Sequence, residues 1–443
     1  MILAMLCALS LLFLIAVARR WKSSSLCAKQ QQQQQRKSKL PKGAWCLPWI
    51  GETVQYFTQS PYQFYHERVS RYGGIFRSHL QGYPTVLTST EEAARFVLVA
   101  HHKSFQPYYP IVGQFLGLNT MKKGLLDTIR KSLDIQTFPK PPLRSQRDYI
   151  TSIDSIARWV LSAWDTQSPV RTAEESRKFT FHVVLHAILT LAPCDESMKL
   201  MHDYIYLLSW MESPRIRDLW SRSSMNQKKK EEIQAWLLPR IVERRTESVM
   251  KNDILQFLMG SVDENGEKLT DDELKECLFP MFIGGFETTA ALLGWIIKYL
   301  AENPEVLQNV KAEHQSIRMA KTSNEEPLCC SDLDMMPLTW RVIQETLRLA
   351  NIVPHTIREI VDDVDFKGIL FPKGWKAYIS FLSVHLSPKN YKNPLKFDPS
   401  RFEVSQDNGA YMPFGLGNHT CVGRLLVKLE IMIFIHYLVI TYR

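Results

Sequence analysis

The stretch Phe414-Gly415-Leu416-Gly417-Asn418-His419-Thr420-Cys421-Val422-Gly423 places one cysteine in a glycine-rich loop that opens directly onto an amphipathic helix near the end of the chain. Glycines let a backbone turn tightly and come close to a flat group. Cys421 stands where the following helix offers unpaired N–H groups and the positive end of its dipole, a setting that favours a thiolate. No second cysteine or histidine lies at metal-finger spacing, so the sulfur suits one open-sided metal, and a haem iron with a cysteine axial ligand is the known example. The plain alternative is a free cysteine buried beside a turn.

Working outward, Thr270-Asp271-Asp272-Glu273 has the form of a capping box, and the apolar pattern behind it runs to Leu300 before Asn303-Pro304 ends it. A helix of about 30 residues spans roughly 45 Å, the width of a domain, and so belongs in the interior. Its centre reads Gly284-Gly285-Phe286-Glu287-Thr288-Thr289. Adjacent glycines weaken a helix by about 1 kcal/mol each, which points to space kept for a planar cofactor and a small bound molecule. Glu287 and Thr288 then set a carboxylate and a hydroxyl beside that space. A glycine-packed helix crossing, with the threonine bonded to its own backbone, is the structural alternative. Pro280 is expected to kink this helix.

These residues resemble the cytochrome P-450 family of haem-thiolate mono-oxygenases. The resemblance rests on Phe414 to Gly423 and on the order in which Glu287, Glu345, Arg348, Phe397-Asp398-Pro399-Ser400-Arg401-Phe402 and Cys421 follow one another. It implies a mainly α fold with a small β-rich region, haem b held by Cys421, and Glu287 with Thr288 as the acid and alcohol that relay protons during O₂ cleavage. It also implies that Glu345, Arg348 and Arg401 form a buried charge cluster locking the cysteine loop. Arg358, in Pro354-His355-Thr356-Ile357-Arg358, matches the position from which relatives reach a haem propionate, and the residues just before it would line the substrate pocket. His419 stands where most members carry a propionate-binding arginine, a departure shared by the plant abscisic acid 8'-hydroxylase branch. Arg130 is the candidate for a further propionate arginine, in a segment from Thr120 to Arg147 that is shortened and broken by Pro139, Pro141 and Pro142.

The likeness extends from Leu40 onward. Lys298 to Pro304, Pro372 to Lys376 and Phe397 to Glu403 look most like plant members that oxidise isoprenoid-derived hormones, with brassinosteroid, sterol and triterpenoid oxidases as the alternatives. Relatives continue with a C-terminal strand pair where this chain stops at Arg443. The expected reaction inserts one oxygen atom into a C–H bond of an apolar substrate, and a haem-binding protein without turnover is the rival reading.

The N-terminal region carries most of the charge asymmetry. Residues 2 to 18 are uncharged and reach the short end of a bilayer span of roughly 17 to 25 residues. Ala16-Val17-Ala18 would suit a cleaved signal peptide, the alternative, but arginines follow at once (Arg19, Arg20), which orients the bulk of the chain toward the cytosol and suggests an anchor in the endoplasmic reticulum membrane. Residues 1–20 thus read as anchor, 21–47 as a basic, glutamine-rich linker with a proline hinge, and 48–443 as the catalytic domain. The net charge of +9 belongs largely to that flank, so it reads as membrane-facing and not as a nucleic-acid patch. Eight cysteines without a C-x-x-C pair fit a reducing compartment. No G-x-G-x-x-G or P-loop is present, so electrons are expected from a separate flavoprotein reductase that draws on NADPH.

A hairpin is expected around Gly82-Tyr83-Pro84, Val364 to Ile369 reads as strand and turn, and helices are expected through Ile150–Val160, Phe179–Leu191 and Ile233–Val249, the last kinked at Pro239. Lys228-Lys229-Lys230-Glu231-Glu232 reads as a solvated helix end.

Overall fold

The computed structural model describes residues 39–44, 51–109, 143–164, 168–211, 223–247, 250–262, 266–323, 325–404 and 409–442. The expected N-terminal anchor and Arg130 lie outside them.

The chain is mostly helical. In order it forms α1 (Thr53–Thr58), α2 (Pro61–Tyr72), β1 (Ile75–Leu80), β2 (Tyr83–Thr88), α3 (Glu91–Arg95), β3 (Phe105–Pro107), α4 (Leu143–Ser162), α5 (Thr172–Leu189), α6 (Asp195–Met211), α7 (Ser223–Thr246) and α8 (Ile254–Gly260). There follow α9 (Asp271–Glu302), α10 (Pro304–Met319), α11 (Cys330–Asp334), α12 (Pro337–Ala350), β4 (His355–Ile360), β5 (Val364–Phe366), β6 (Ile369–Phe371), β7 (Lys376–Ser380), α13 (Phe381–His385) and α14 (Arg424–Thr441).

The larger sheet has the order β1-β2-β7-β4-β3, with β2 and β7 parallel and the other pairs antiparallel. The expected hairpin is β1-β2, and the strand and turn expected from Val364 to Ile369 form a second one, β5-β6. Gln81-Gly82 and Lys367-Gly368 each take two successive positive φ angles, the turn whose twist matches that of the strands it joins. β7 is buried along its whole length, which makes it the spine of the sheet.

The helix α9 organises the rest. Thr270 and Glu273 cap its start reciprocally, and the helix continues through Pro280 as one element. Of the described helices it alone is long and apolar enough to cross a membrane, but it lies among other helices and is a core element. Its N-terminal half packs with α5 and α7 around Phe181, Tyr204, Phe279, Phe282 and Phe286. Its C-terminal half packs with α4, α12 and α14.

One local expectation changes. Lys228 to Glu232 lies inside α7 and not at an end, and Lys230 is buried, with its Nζ over the Phe279 ring and 3.3 Å from Glu276. Its long apolar stem covers core surface while the ammonium finds a carboxylate.

Candidate functional site

The loop before α14 is closed by its own backbone: Cys421 N–H donates to the Phe414 carbonyl at 2.8 Å, and Thr420 N–H to Gly417 at 3.1 Å. Phe414 packs against the largest core cluster. Gly417 has φ +69°, and a Cβ there would stand 2.4 Å from the Leu98 carbonyl oxygen. Only glycine lets the loop lie against the π-helical turn Phe96–Ala100. His419 ends the short 3₁₀ turn beside it.

The Cys421 sulfur is accessible, yet protein surrounds it closely enough that burial pushes the thiol above its ordinary value. The N–H groups of Gly423 and Arg424, with the Arg424 charge, pull the other way. The donors expected from the sequence are therefore present, but for the thiol by itself burial outweighs them. A coordinating metal removes such a proton outright. Val422, the next residue, packs against the core cluster to which Phe282, Ile283 and Phe286 of α9 belong.

On α9 the two glycines face different surroundings. A Cβ on Gly285 would come within 2.9 Å of a Val184 methyl, so this glycine permits the close approach of α5. Gly284 is exposed between the buried Ile283 and Phe286 of this helix, and a Cβ there would meet nothing within 4 Å. An exposed cysteine in a glycine-rich loop and an uncovered glycine on the long core helix fit a flat haem with a cysteine ligand.

Thr288 lies one turn beyond Gly284 on the same face, and its hydroxyl donates to the Gly284 carbonyl at 2.7 Å. The backbone bond weighed from the sequence is thus formed, and it leaves the Thr288 oxygen to act as an acceptor. Glu287 turns away, toward α5. Arg177 Nη2 lies 2.6 Å from its Oε1, and Arg177 Nε 2.9 Å from its Oε2. Arg177 is a residue that sequence reasoning missed, because the contact joins positions 110 apart and no local pattern marks it.

Glu345 and Arg348 on α12 are fully buried and paired two to two, at 2.7 and 2.8 Å. Arg401 Nε adds 3.3 Å to Glu345 Oε1, and the Asp398 N–H donates to the same oxygen at 2.9 Å. Arg348 Nη1 also donates to the His385 and Pro394 carbonyls at 2.9 and 2.7 Å. The three residues grouped from the sequence thus meet around one carboxylate.

Arg358 is buried on β4, with Nη1 2.7 Å from the Thr356 hydroxyl on the same strand face. By the two-residue strand period His355 faces the other way. It stacks on Tyr378, and Tyr56 Oη lies 3.0 Å from its Nε2. Burial lowers His355 to about 4. Of the residues expected to line the pocket just before Arg358, His355 is therefore occupied with a small aromatic core.

Residues 41–443 match the family model described as Cytochrome P450. The chain is 36% identical to abscisic acid 8'-hydroxylase 4 of Arabidopsis thaliana over 92% of this chain and 87% of that protein. It is 37% identical to abscisic acid 8'-hydroxylase 1 of the same plant over 92% and 86%. Among solved structures, retinoic acid bound cyanobacterial CYP120A1 superposes with a TM-score of 0.78 at 26% identity, covering 91% of this chain and 92% of that one. With the cysteine loop, the opened helix and the extent of these matches in agreement, the chain belongs to the cytochrome P450 family and is a haem-thiolate mono-oxygenase that works on an apolar substrate with a redox partner.

Proposed function

We propose that this mono-oxygenase hydroxylates an isoprenoid-derived plant hormone of the abscisic acid type, with brassinosteroid-like sterols and triterpenoids as the neighbouring substrate classes. The carrying observation is the 36% identity to a hydroxylase of that name across 92% of this chain. Haem supplies O₂ activation when bound. Cys421 would hold its iron, and Arg358 and His419, with Arg130, would hold its propionates. Phe414 and Gly423 shape the loop that carries the sulfur. Glu345, Arg348 and Arg401 fix the chain on which that loop is mounted.

Proton handling falls to α9. With its own hydrogen committed to Gly284, the Thr288 oxygen accepts a hydrogen bond on the open side, and Glu287 supplies an acid one residue away. The α9 wall keeps bulk water from the reacting centre. An NADPH-dependent flavoprotein reductase is the proposed electron donor. Residues 2–18 are the proposed single anchor in the endoplasmic reticulum membrane, with the catalytic domain cytosolic.

The test is Thr288→Ala. The variant is expected to keep a thiolate haem spectrum and a substrate-induced spectral shift while diverting NADPH electrons from product to hydrogen peroxide. Equal product per NADPH in both proteins would remove the relay role. No product from any terpenoid hormone tested with wild type would remove the substrate class.

A further inference from the structure

Met412, two residues ahead of Phe414, is buried, and its backbone is held on both sides. Its carbonyl accepts from the Gly415 N–H at 3.1 Å, which makes the turn that opens the cysteine loop. Its N–H donates to His385 Nε2 at 3.0 Å. His385 ends α13, 27 residues earlier in the chain, and its ring is buried too. The other ring nitrogen, Nδ1, lies 2.9 Å from Asn351 Oδ1. Asn351 closes α12 with a left-handed φ of +45°, and its Nδ2 donates to the Arg348 carbonyl at 2.8 Å.

Each hydrogen in this series has one possible owner. A backbone N–H only donates, so His385 Nε2 is the acceptor and carries no hydrogen. A neutral imidazole then holds its hydrogen on Nδ1, and Asn351 Oδ1 receives it, because the amide nitrogen of Asn351 faces carbonyls. A charged ring would carry hydrogens on both nitrogens and set one of them against the Met412 N–H. The contacts therefore require a neutral ring. Burial, with the Arg348 charge nearby, holds His385 at about 3 and so agrees with them.

The backbone of His385 is fixed by the buried clamp, since Arg348 Nη1 donates to its carbonyl at 2.9 Å, while its ring reaches on to the loop. A continuous series of bonds thus runs from the end of α12 through Asn351 and His385 to Met412. Two residues later the Phe414 carbonyl takes the Cys421 N–H at 2.8 Å. We propose that His385 is a positioning residue for the sulfur: in its neutral form, with the hydrogen on Nδ1, it ties the first peptide of the cysteine loop to the end of α12 and so fixes the loop that presents Cys421. Without the ring acceptor the Met412 N–H is buried and unpaired, which is costly, and turning that peptide to find a new partner moves Phe414 and the loop with it. The proposal is independent of which substrate the protein oxidises.

The test uses the haem-loaded full chain and reads ligation in place of turnover. Glutamine can set its side-chain carbonyl where Nε2 stands and still accept from Met412, whereas asparagine is shorter and reaches only as far as Nδ1. In the reduced carbon monoxide complex, His385→Gln is expected to lose the thiolate-type red shift on mild warming at a rate within about twofold of wild type. His385→Asn and His385→Leu are expected to lose it about tenfold faster. The tautomer is read separately, from magnetic resonance of histidine labelled with heavy nitrogen in the same diamagnetic complex, as the difference between wild type and His385→Gln. A bare Nε2 and a protonated Nδ1 are expected, unchanged across about pH 6 to 8. A ring protonated on Nε2, a charged ring, or a glutamine variant that loses the red shift as fast as leucine overturns the proposal. Should the leucine and asparagine variants not fold, the glutamine variant and the nitrogen spectra still decide.

Discussion

Arg177 on α5 grips Glu287 on α9 through both carboxylate oxygens, at 2.6 and 2.9 Å, so the acid beside the site is tied to the helix behind it. In the proposed relay, Glu287 is thus held by a cation 110 positions earlier in the chain.

Both side chains are partly exposed, so Arg177→Ala is expected to cost less than about 1 kcal/mol of stability. Product per NADPH should nevertheless fall about tenfold, because the released carboxylate turns to solvent. Unaltered coupling, together with a lowered melting point, would make the pair a helix tie and nothing more.

The two glycines of α9 should respond in opposite ways to alanine. At Gly284 the methyl enters open space, so helix stability should rise by about 1 kcal/mol while the substrate-induced spectral shift weakens. At Gly285 it meets Val184, and a loss of about 1–3 kcal/mol is expected. Denaturant titrations and ligand titrations on the same two variants check this, and a parallel response would mean that the glycines do not face different surroundings.

Removing Glu345 strands two guanidinium groups at a buried point. Glu345→Ala is expected to cost about 3–5 kcal/mol and to yield protein that does not retain haem. A soluble variant with full haem content would show that the loop is held by other contacts.

Acid should destabilise the fold through its buried histidines. Burial holds His314 and His385 at about 3, and His355 and His436 at about 4, against an ordinary 6.5. The His436 ring also lies among Asp154, Asp332, Arg158 and Arg318, whose charges act on it in opposing directions. Between about 6.5 and 4 the unfolded chain binds more protons than the folded one, so stability falls as the pH drops through that window. His314 and His436 touch at 3.0 Å and titrate as a pair, which the double variant His314→Gln/His436→Gln removes. Its denaturation midpoint should depend less on pH across that window, and an unchanged slope would assign the acid sensitivity elsewhere.

What could be read from the sequence was local or ordered along the chain. The capping box at Thr270, the hairpin turns, the Cys421 loop and the Glu345 to Arg348 spacing each follow from neighbours a few residues apart. Arg177 escaped because it acts across a helix crossing, and a lone arginine carries no pattern of its own. Lys230 misled because a run of three lysines reads as solvated, although the middle of a packed helix turns one of them inward. His355 sits close in sequence to the pocket-lining candidates, yet the strand period sends it to the opposite face.

The irregular stretch from His385 to Asp398 takes its shape from α12: Arg348 collects the carbonyls of His385 and Pro394, and Glu345 the N–H of Asp398, 53 residues downstream. Such a segment gains no order from its own neighbours. It must wait for a long chain closure, whose entropy has to be met before any of these bonds repays it. In refolding, amides protected only by this arrangement should acquire protection from hydrogen exchange after those of α9 and α5, which makes the mount of the cysteine loop the last piece of the molecule to set and the first to loosen.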